Sequence, residues 1–412
     1  MWMVLWLLAL AFSDSPAGAE PCPVLSPNDH IPDSCALQQL LDRGGQILLD
    51  APASPDAPGY ILDRGLRLLV SGTSLTGRNP EAKARMVSDP DIADAMLDAK
   101  ADNFTLANLV FDGNRDNRRH QLATCRGPRA KAYNLILRGS GFKVHDLEST
   151  HALCGSAMAI EGSDFRIYDN RVVDNGFDIF EQPQFGTKTE AWSDGMTVWK
   201  CERGQIYNNT LADNTDIDII VGGGRACQVL NNQISHHKKY AFGGLHVAWF
   251  PNGDGNHVDS LFGGNWISAE SGLLHFGLMV GFHPWNADVW IENAGRIANN
   301  YTSGAGINLA VDGVRKAEIV SNTVAVNALD AIFPSCRVGK DDATEASIGT
   351  PPFAVHSAHA QLPSDELQPG AQCVNLDNGQ CEPCSGLGTG AAPENGAFRK
   401  RPPPVRPTLP RR

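Results

Sequence analysis

One motif recurs down the middle of the chain and constrains the fold more than anything else. In order, its copies are "FTLANLVFDGN" (104–114), "FKVHDLEST" (142–150), "FRIYDNRVVDN" (165–175), "GQIYNNTLADN" (204–214), "CQVLNNQIS" (227–235), "LFGGNWIS" (261–268), "GRIANNYTS" (295–303) and "AEIVSNTVAVN" (317–327). Each has an apolar residue, two variable ones, usually Asn, one variable, then often another apolar residue. The central positions are Leu109, Leu147, Asn170, Asn209, Asn232, Asn265, Asn300 and Asn322. The shortest spacings are 170 − 147 = 23, 232 − 209 = 23 and 322 − 300 = 22, and others stretch to 39 as loop insertions would make them. A period near 23 with strand-like alternation marks a solenoid. Helical repeats are longer and would not carry so many Asn, Gly and β-branched residues.

The physical reading is an all-β chain wound as a single-stranded parallel β-helix. Apolar side chains stack inward from coil to coil. Asn at a tight bend accepts a left-handed conformation, and its amide bonds to the Asn above and below. Crossover connections between parallel strands favour a right-handed path. "CALQQLLDRG" (35–44) reads as an N-terminal capping helix.

A second set of strands lies between the Asn segments: "AMAIEG" (157–162), "GMTVWK" (195–200), "DIDIIV" (216–221), "GLHVAW" (244–249), "GLMVGF" (277–282) and "GINLAV" (306–311). Period-two alternation points Met158, Met196, Ile217, Leu245, Leu278 and Ile307 inward, then Ile160, Val198, Ile219, Val247, Val280 and Leu309. The outward row between them is Ala159, Thr197, Asp218, His246, Met279 and Asn308, and a further one begins Glu161, Trp199, Ile220. Asp218 and His246 then stand on adjacent coils, about 4.8 Å apart. Long loops at 177–194, 250–264 and 282–295 carry Phe180, Phe185, Trp192, Trp285 and Trp290, fit either to wall a sugar-binding cleft or to cover the solenoid's side.

This repeat resembles that of the pectate-lyase-like superfamily of right-handed β-helices, over roughly residues 100–335. The resemblance implies that this sheet lines a substrate groove. It implies an exported enzyme cleaving a polysaccharide, as lyase or glycoside hydrolase. Within that superfamily, "SDG" (193–195) and "TDI" (215–217) partly resemble strand starts of the polygalacturonase branch and carry over Asp194 and Asp216. Thr215 replaces the second Asp of that branch's D-D pair, "HHKK" (236–239) matches G-H-G poorly, and R-I-K is absent, which argues against a polygalacturonase.

The candidate catalytic residues are therefore Asp218, His246, Asp194 and Asp216. A carboxylate beside an imidazole orients it or raises its pKa, giving an acid or base suited to neutral pH. Asp194 and Asp216, starting adjacent strands, are candidates for paired carboxylates. Candidate substrate-binding residues are Trp199, Glu161, Arg225, Lys238, Lys239, Asn308, Trp192 and Trp285. No cofactor is required by this chemistry, with Ca²⁺ on Asp216 and Asp218 the weaker option. Against each assignment stands a structural reading: surface ion pair, turn-capping Asp or solvated basic turn. The whole-protein alternative is a non-catalytic secreted glycan-binding β-helix.

The remaining features set the boundaries. Residues 1–19 contain an apolar run from Trp2 to Phe12 and end in Ala17-Gly18-Ala19, a secretory signal cut before Glu20, although no Lys or Arg precedes the run. Eleven apolar residues are too few to span a bilayer. Ten cysteines fit export to the periplasm or beyond, with Cys22–Cys35, Cys125–Cys154 and Cys201–Cys227 expected from chain proximity. The β-helix domain is expected over 20–335, a cysteine-containing cap over 336–393 with "CEPC" as a tight structural bridge, and a Pro/Arg-rich disordered tail over 394–412. A net charge of −12 speaks against nucleic acid as a partner.

Overall fold

The computed structural model describes residues 22–125, 132–178, 191–270, 273–281, 289–312, 314–324, 354–356, 372–375 and 380–383. The chain winds into three parallel sheets. Sheet 1 runs from Gln46–Leu49 to Glu318–Val320 and sheet 2 from Tyr60–Leu62 to Thr323–Val324, with ten strands each. Sheet 3 begins at Leu66–Leu68 and has twelve strands, its last three being Ala354–His356, Gln372–Asn375 and Gln380–Pro383. Only the final pair is antiparallel. The fold is the right-handed parallel β-helix that the repeat predicts. The expected signal sequence and tail, together with Cys336 and Cys384, lie outside the described residues.

The helix Ser34–Arg43 closes the first coil. Leu37 and Leu41, one turn apart, are buried against the core, and the Gly44 N–H satisfies the carbonyls of Leu40 and Leu41. Gln38 accepts from the Arg67 N–H and donates to the Arg67 carbonyl, both at 2.8 Å, so the first strand of sheet 3 does not present an open edge. The three expected disulfides form, Cys22–Cys35, Cys125–Cys154 and Cys201–Cys227.

Inside, the asparagines make the ladder that the repeat calls for. Each Nδ2 donates to the next Oδ1 at 2.9 Å from Asn170 through Asn209, Asn232, Asn265 and Asn300 to Asn322. One expectation about the bend is corrected. The left-handed residue is not the ladder Asn but the one before it: Asp169, Asn208, Asn231, Gly264, Asn299 and Ser321. The bend thus divides its labour, one residue turning the backbone while the next points its amide inward. Phe104, Phe142 and Phe165 stack within the same interior at 4.7 and 5.1 Å between centroids.

In sheet 3 the register departs from strict alternation. Met196 pairs with Ile219, Ile219 with Leu245, and Leu278 with Leu309, so Ile217 falls out of the inward row expected for it. The cause is a bend early in these strands, where two successive residues both face the core. Ala157 and Met158 are both core residues, and a Cβ added to Gly195 would meet Leu211 and Asn214 inside the coil. A bulge between Ile160 and Glu161 adds a second shift and pairs Glu161 with Lys200, leaving Trp199 unmatched.

Candidate active site

The starts of two neighbouring sheet 3 strands place Asp194 and Asp216 together. The Ser193 carbonyl accepts from the Asp216 N–H at 3.2 Å, and Asp194 Oδ1 accepts from the Ile217 N–H at 3.1 Å. Asp194 Oδ2 accepts from the Thr197 hydroxyl, which lies 2.6 Å from Ser156 Oγ one coil earlier. Both residues are half-buried. Desolvation raises the Asp194 pKa to about 6, with the hydrogen bonds from Thr197 and Ile217 opposing it. Desolvation, then the charge of Asp194, raises Asp216 well above the ordinary carboxylate range. The two titrate as a coupled pair. Above about pH 6 Asp194 is charged, its carboxylate held by two donors, and burial beside that charge favours the protonated form of Asp216. Tyr133 lies close by, its hydroxyl pKa raised by burial and then by the Asp194 charge. Trp192, two residues before Asp194, is 36 % exposed.

Asp218 goes elsewhere. The early bend turns it inward, so it stands opposite Gly244 and not His246, which pairs with Ile220. Its carboxylate accepts from Asn214 Nδ2 at 2.8 Å and meets His236 Nε2 at 2.7 Å, and both Asp218 and His236 are 0 % exposed. His236 Nδ1 faces the Lys239 carbonyl at 3.0 Å, so the ring donates from both nitrogens as an imidazolium. Burial works to lower its pKa, but the charge and hydrogen bond of Asp218 outweigh it and the net shift is upward. The expected Asp218–His246 pair is therefore absent. His246 is buried with Nε2 on the Gly281 carbonyl, and desolvation, then the nearby His257, lowers its pKa to about 3.

The sheet's outward middle row is Ala159, Thr197, Ile220, His246, Met279 and Ala310, each of them no more than 6 % exposed. Of the two roles open to the loops, covering the sheet describes Phe250 of the 250–264 loop, while 179–190 and 282–288 of the other two lie outside the described residues. Phe250 lies so near Gly222 that an added Cβ there would sit 1.9 Å from its ring, and Trp199 packs on Phe250 at 5.1 Å. Asn308 is buried, its side-chain oxygen accepting from the Ala305 N–H and facing Thr302 Oγ1. "HHKK" is a turn wrapped on Asp213, whose carboxylate accepts the N–H groups of His237, Lys238 and Lys239. The Lys239 ammonium is held by Asp174 at 2.5 Å, and exposed Arg225 sits 3.7 Å from Asp259. Glu161 lies at the other end of its strand, remote from the carboxylate pair. Phe180, Phe185 and Trp285 lie outside the described residues. Of the two acids of the Ca²⁺ option, Asp218 is committed to Asn214 and His236 inside the coil, and among the described residues no three His, Cys, Asp or Glu side chains converge on one point.

Sequence reasoning missed Thr197 and Ser156 as the hydroxyl relay behind Asp194, and His236 as the partner of Asp218. For His236 a signal existed. Asn175 and Asn214 each fall five residues after a ladder asparagine, and they form a second ladder: Asn175 Nδ2 donates to Asn214 Oδ1 at 2.7 Å, and Asn214 to Asp218. On the next coil the fifth position falls in "HHKK", where the ladder has to end.

The chain is similar to solved β-helix structures. One is the A-module of the mannuronan C-5 epimerase AlgE6 from Azotobacter vinelandii, at 16% identity over 75% of this chain and 76% of that one, with a TM-score of 0.51. Others are an endo-xylogalacturonan hydrolase from Aspergillus tubingensis, at 14% identity over 81% of each chain with a TM-score of 0.40, and the Dettilon tailspike protein, at 12% over 71% and 65% with 0.41. No family model matches the chain, and no curated protein does. The likeness establishes the fold, a parallel β-helix. Among the described residues no helix is long and apolar enough to cross a membrane, and the three disulfides fit an extracellular protein.

Proposed function

We propose that the protein is an exported glycoside hydrolase acting on a polysaccharide, with Asp194 and Asp216 as its catalytic pair. The observation that carries this reading is the placement of two enclosed carboxyl groups at the starts of neighbouring strands, one with two hydrogen-bond donors and the other beside it. Two carboxyl groups start neighbouring strands on coils about 4.8 Å apart, are desolvated, and among the described residues have no cation paired with them. One keeps its charge through two donors, and the other keeps a proton. Glycosidic bond cleavage needs this division, a carboxylic acid to protonate the leaving oxygen and a carboxylate to act on the sugar or on a water.

In this reading Asp216 is the acid and Asp194 the base or nucleophile. Thr197 and Ser156 are positioning residues that fix the rotamer of Asp194. Trp192 offers an exposed ring on which a sugar stacks. A lyase centred on His246 is disfavoured, because that imidazole is buried with Nε2 on the Gly281 carbonyl.

The test is release of reducing ends from a panel of neutral and uronate-containing polysaccharides by wild type, Asp194→Asn and Asp216→Asn. Activity in wild type that falls about 10³-fold in both variants supports the assignment. Full activity in either variant, or product with an unsaturated chromophore, overturns it. Binding without any turnover points instead to a glycan-binding β-helix.

A further inference from the structure

The short 3₁₀ helix Arg115–Cys125 lies in a turn that leads from sheet 2 into sheet 3. It adds no strand to any sheet, yet it is fastened at three points. Arg118 is 0 % exposed, and its two Nη groups donate to the carbonyls of Gly113 at 3.0 Å and Ile92 at 2.7 Å. No carboxylate among the described residues pairs with it, and burial lowers its pKa to about 10. Arg115 Nη1 donates to the carbonyls of Asp174 at 2.7 Å and Gly176 at 2.6 Å. Cys125 forms a cystine with Cys154. Ile92, Gly113, Cys154 and Gly176 occupy the same turn on successive coils, so the helix ties neighbouring turns together.

These fastenings end against the carboxylate pair. Gly176 has φ +71°, and a Cβ there would lie 2.1 Å from Thr215 Oγ1 and 2.4 Å from the Ser193 nitrogen. Ser193 and Thr215 immediately precede Asp194 and Asp216. The carbonyl gripped by Arg115 therefore belongs to the backbone on which both strand starts rest. The cystine reaches the same place by another route. Leu122, Cys125, Cys154, Phe177 and Ala191 belong to a small core of their own, separate from the solenoid interior. The Phe177 N–H donates to the Ala191 carbonyl, and the Gly155 N–H to that of Trp192, both at 2.8 Å. The Arg115 guanidinium lies over the Phe177 ring at 5.1 Å and joins the two routes.

The pair needs this support because the ladder joining its two strands begins only at Met196 and Ile219. Two carboxyl groups that act together need a fixed separation, and a misplacement of about 1 Å can lower a rate about 10²-fold. We infer that the helix Arg115–Cys125 is an external brace that holds Asp194 and Asp216 in their working geometry, with Arg115 and the Cys125–Cys154 cystine as positioning residues. The inference rests on the proposed catalytic role of the pair.

The test sets Arg115→Met, Arg115→Lys and the double variant Cys125→Ala with Cys154→Ala against Cys201→Ala with Cys227→Ala. The last removes a cystine of the solenoid core at the far end of the Asp194 strand. Arg115→Met strands no carboxylate, since Asp174 keeps His151 and Lys239. Below the unfolding range, Arg115→Met and the Cys125/Cys154 variant should each lower kcat about tenfold with KM within about twofold. Arg115→Lys keeps the charge without the planar fork and should fall between. The Cys201/Cys227 variant should melt lower than wild type and keep kcat within about twofold. Hydrogen exchange read by mass spectrometry needs no turnover. Peptides covering 192–196 and 214–218 should exchange faster than wild type in Arg115→Met and in the Cys125/Cys154 variant, and those covering 228–235 should not. Wild-type kcat in both variants, or unchanged exchange at the strand starts, overturns the inference. Full activity of Asp194→Asn, with faster exchange still present in the brace variants, removes the catalytic assignment alone.

Discussion

Asp216 and Asp218 are two residues apart in one strand and meet opposite fates. Asp216 stands where the strand begins, beside a second carboxylate and, among the described residues, without a cation. Asp218 is turned into the coil, where Asn214 and an imidazolium complete its shell. Both sites take a carboxyl group out of water. Only the interior one supplies compensating partners, as a buried charge requires. An uncompensated carboxyl group retains its proton and becomes an acid, whereas a compensated one becomes a structural post.

The contrast can be broken at several points. The largest effect is expected on turnover, where Asp194→Asn or Asp216→Asn should lower kcat by about 10³-fold, read as reducing-end release, while Asp218→Asn should leave the kcat of folded protein within a few-fold. Next comes Asp218→Ala. It strands a buried imidazolium and should lower the unfolding free energy by about 3 kcal/mol in denaturant titrations. Asn232→Ala interrupts the main ladder at its middle and should cost about 2 kcal/mol by the same measurement, with no change in pH profile.

The finest test is the sign of the pH dependence. Asp194 and Asp216 have folded-state pKa values above the unfolded carboxylate value of about 4, so the stability they contribute is full below that pH. It is lost as pH rises, through about 6 for Asp194 and through the raised value of Asp216. Replacing Asp216 by Asn should therefore raise the melting temperature at pH 8 and leave it unchanged at pH 3.5. His236 is also raised, so its contribution is present below about pH 6.5 and lost above its folded value. Asp218→Asn should therefore destabilise most at low pH, opposite to Asp216→Asn. Activity should rise with pH as Asp194 ionises near 6 and fall as Asp216 loses its proton.

Much of the fold was legible because each coil repeats the same instruction. Asn170, Asn209 and Asn232 recur at the same place in their coils, and that recurrence encodes both the bend and the ladder. The disulfides followed from proximity along the chain. Asp194 and Asp216 were legible as neighbours because both sit just before the apolar part of a strand. The pairing of Asp218 with His246 was not recoverable. Alternation assigns a face only while the strand stays regular, and the bend at Ala157 and Gly195 shifts each later residue by one face.

The sequence by itself determined a right-handed β-helix, its asparagine ladder, its capping helix and its cystines, because these rest on local periodicity repeated many times. Tertiary structure alone decided which carboxylates meet a partner and which meet each other. That choice depends on a one-residue irregularity and on a histidine eighteen residues downstream of Asp218, folded back into the same coil interior. A proton affinity is set by everything within a few ångströms, and in a solenoid those neighbours come from other coils.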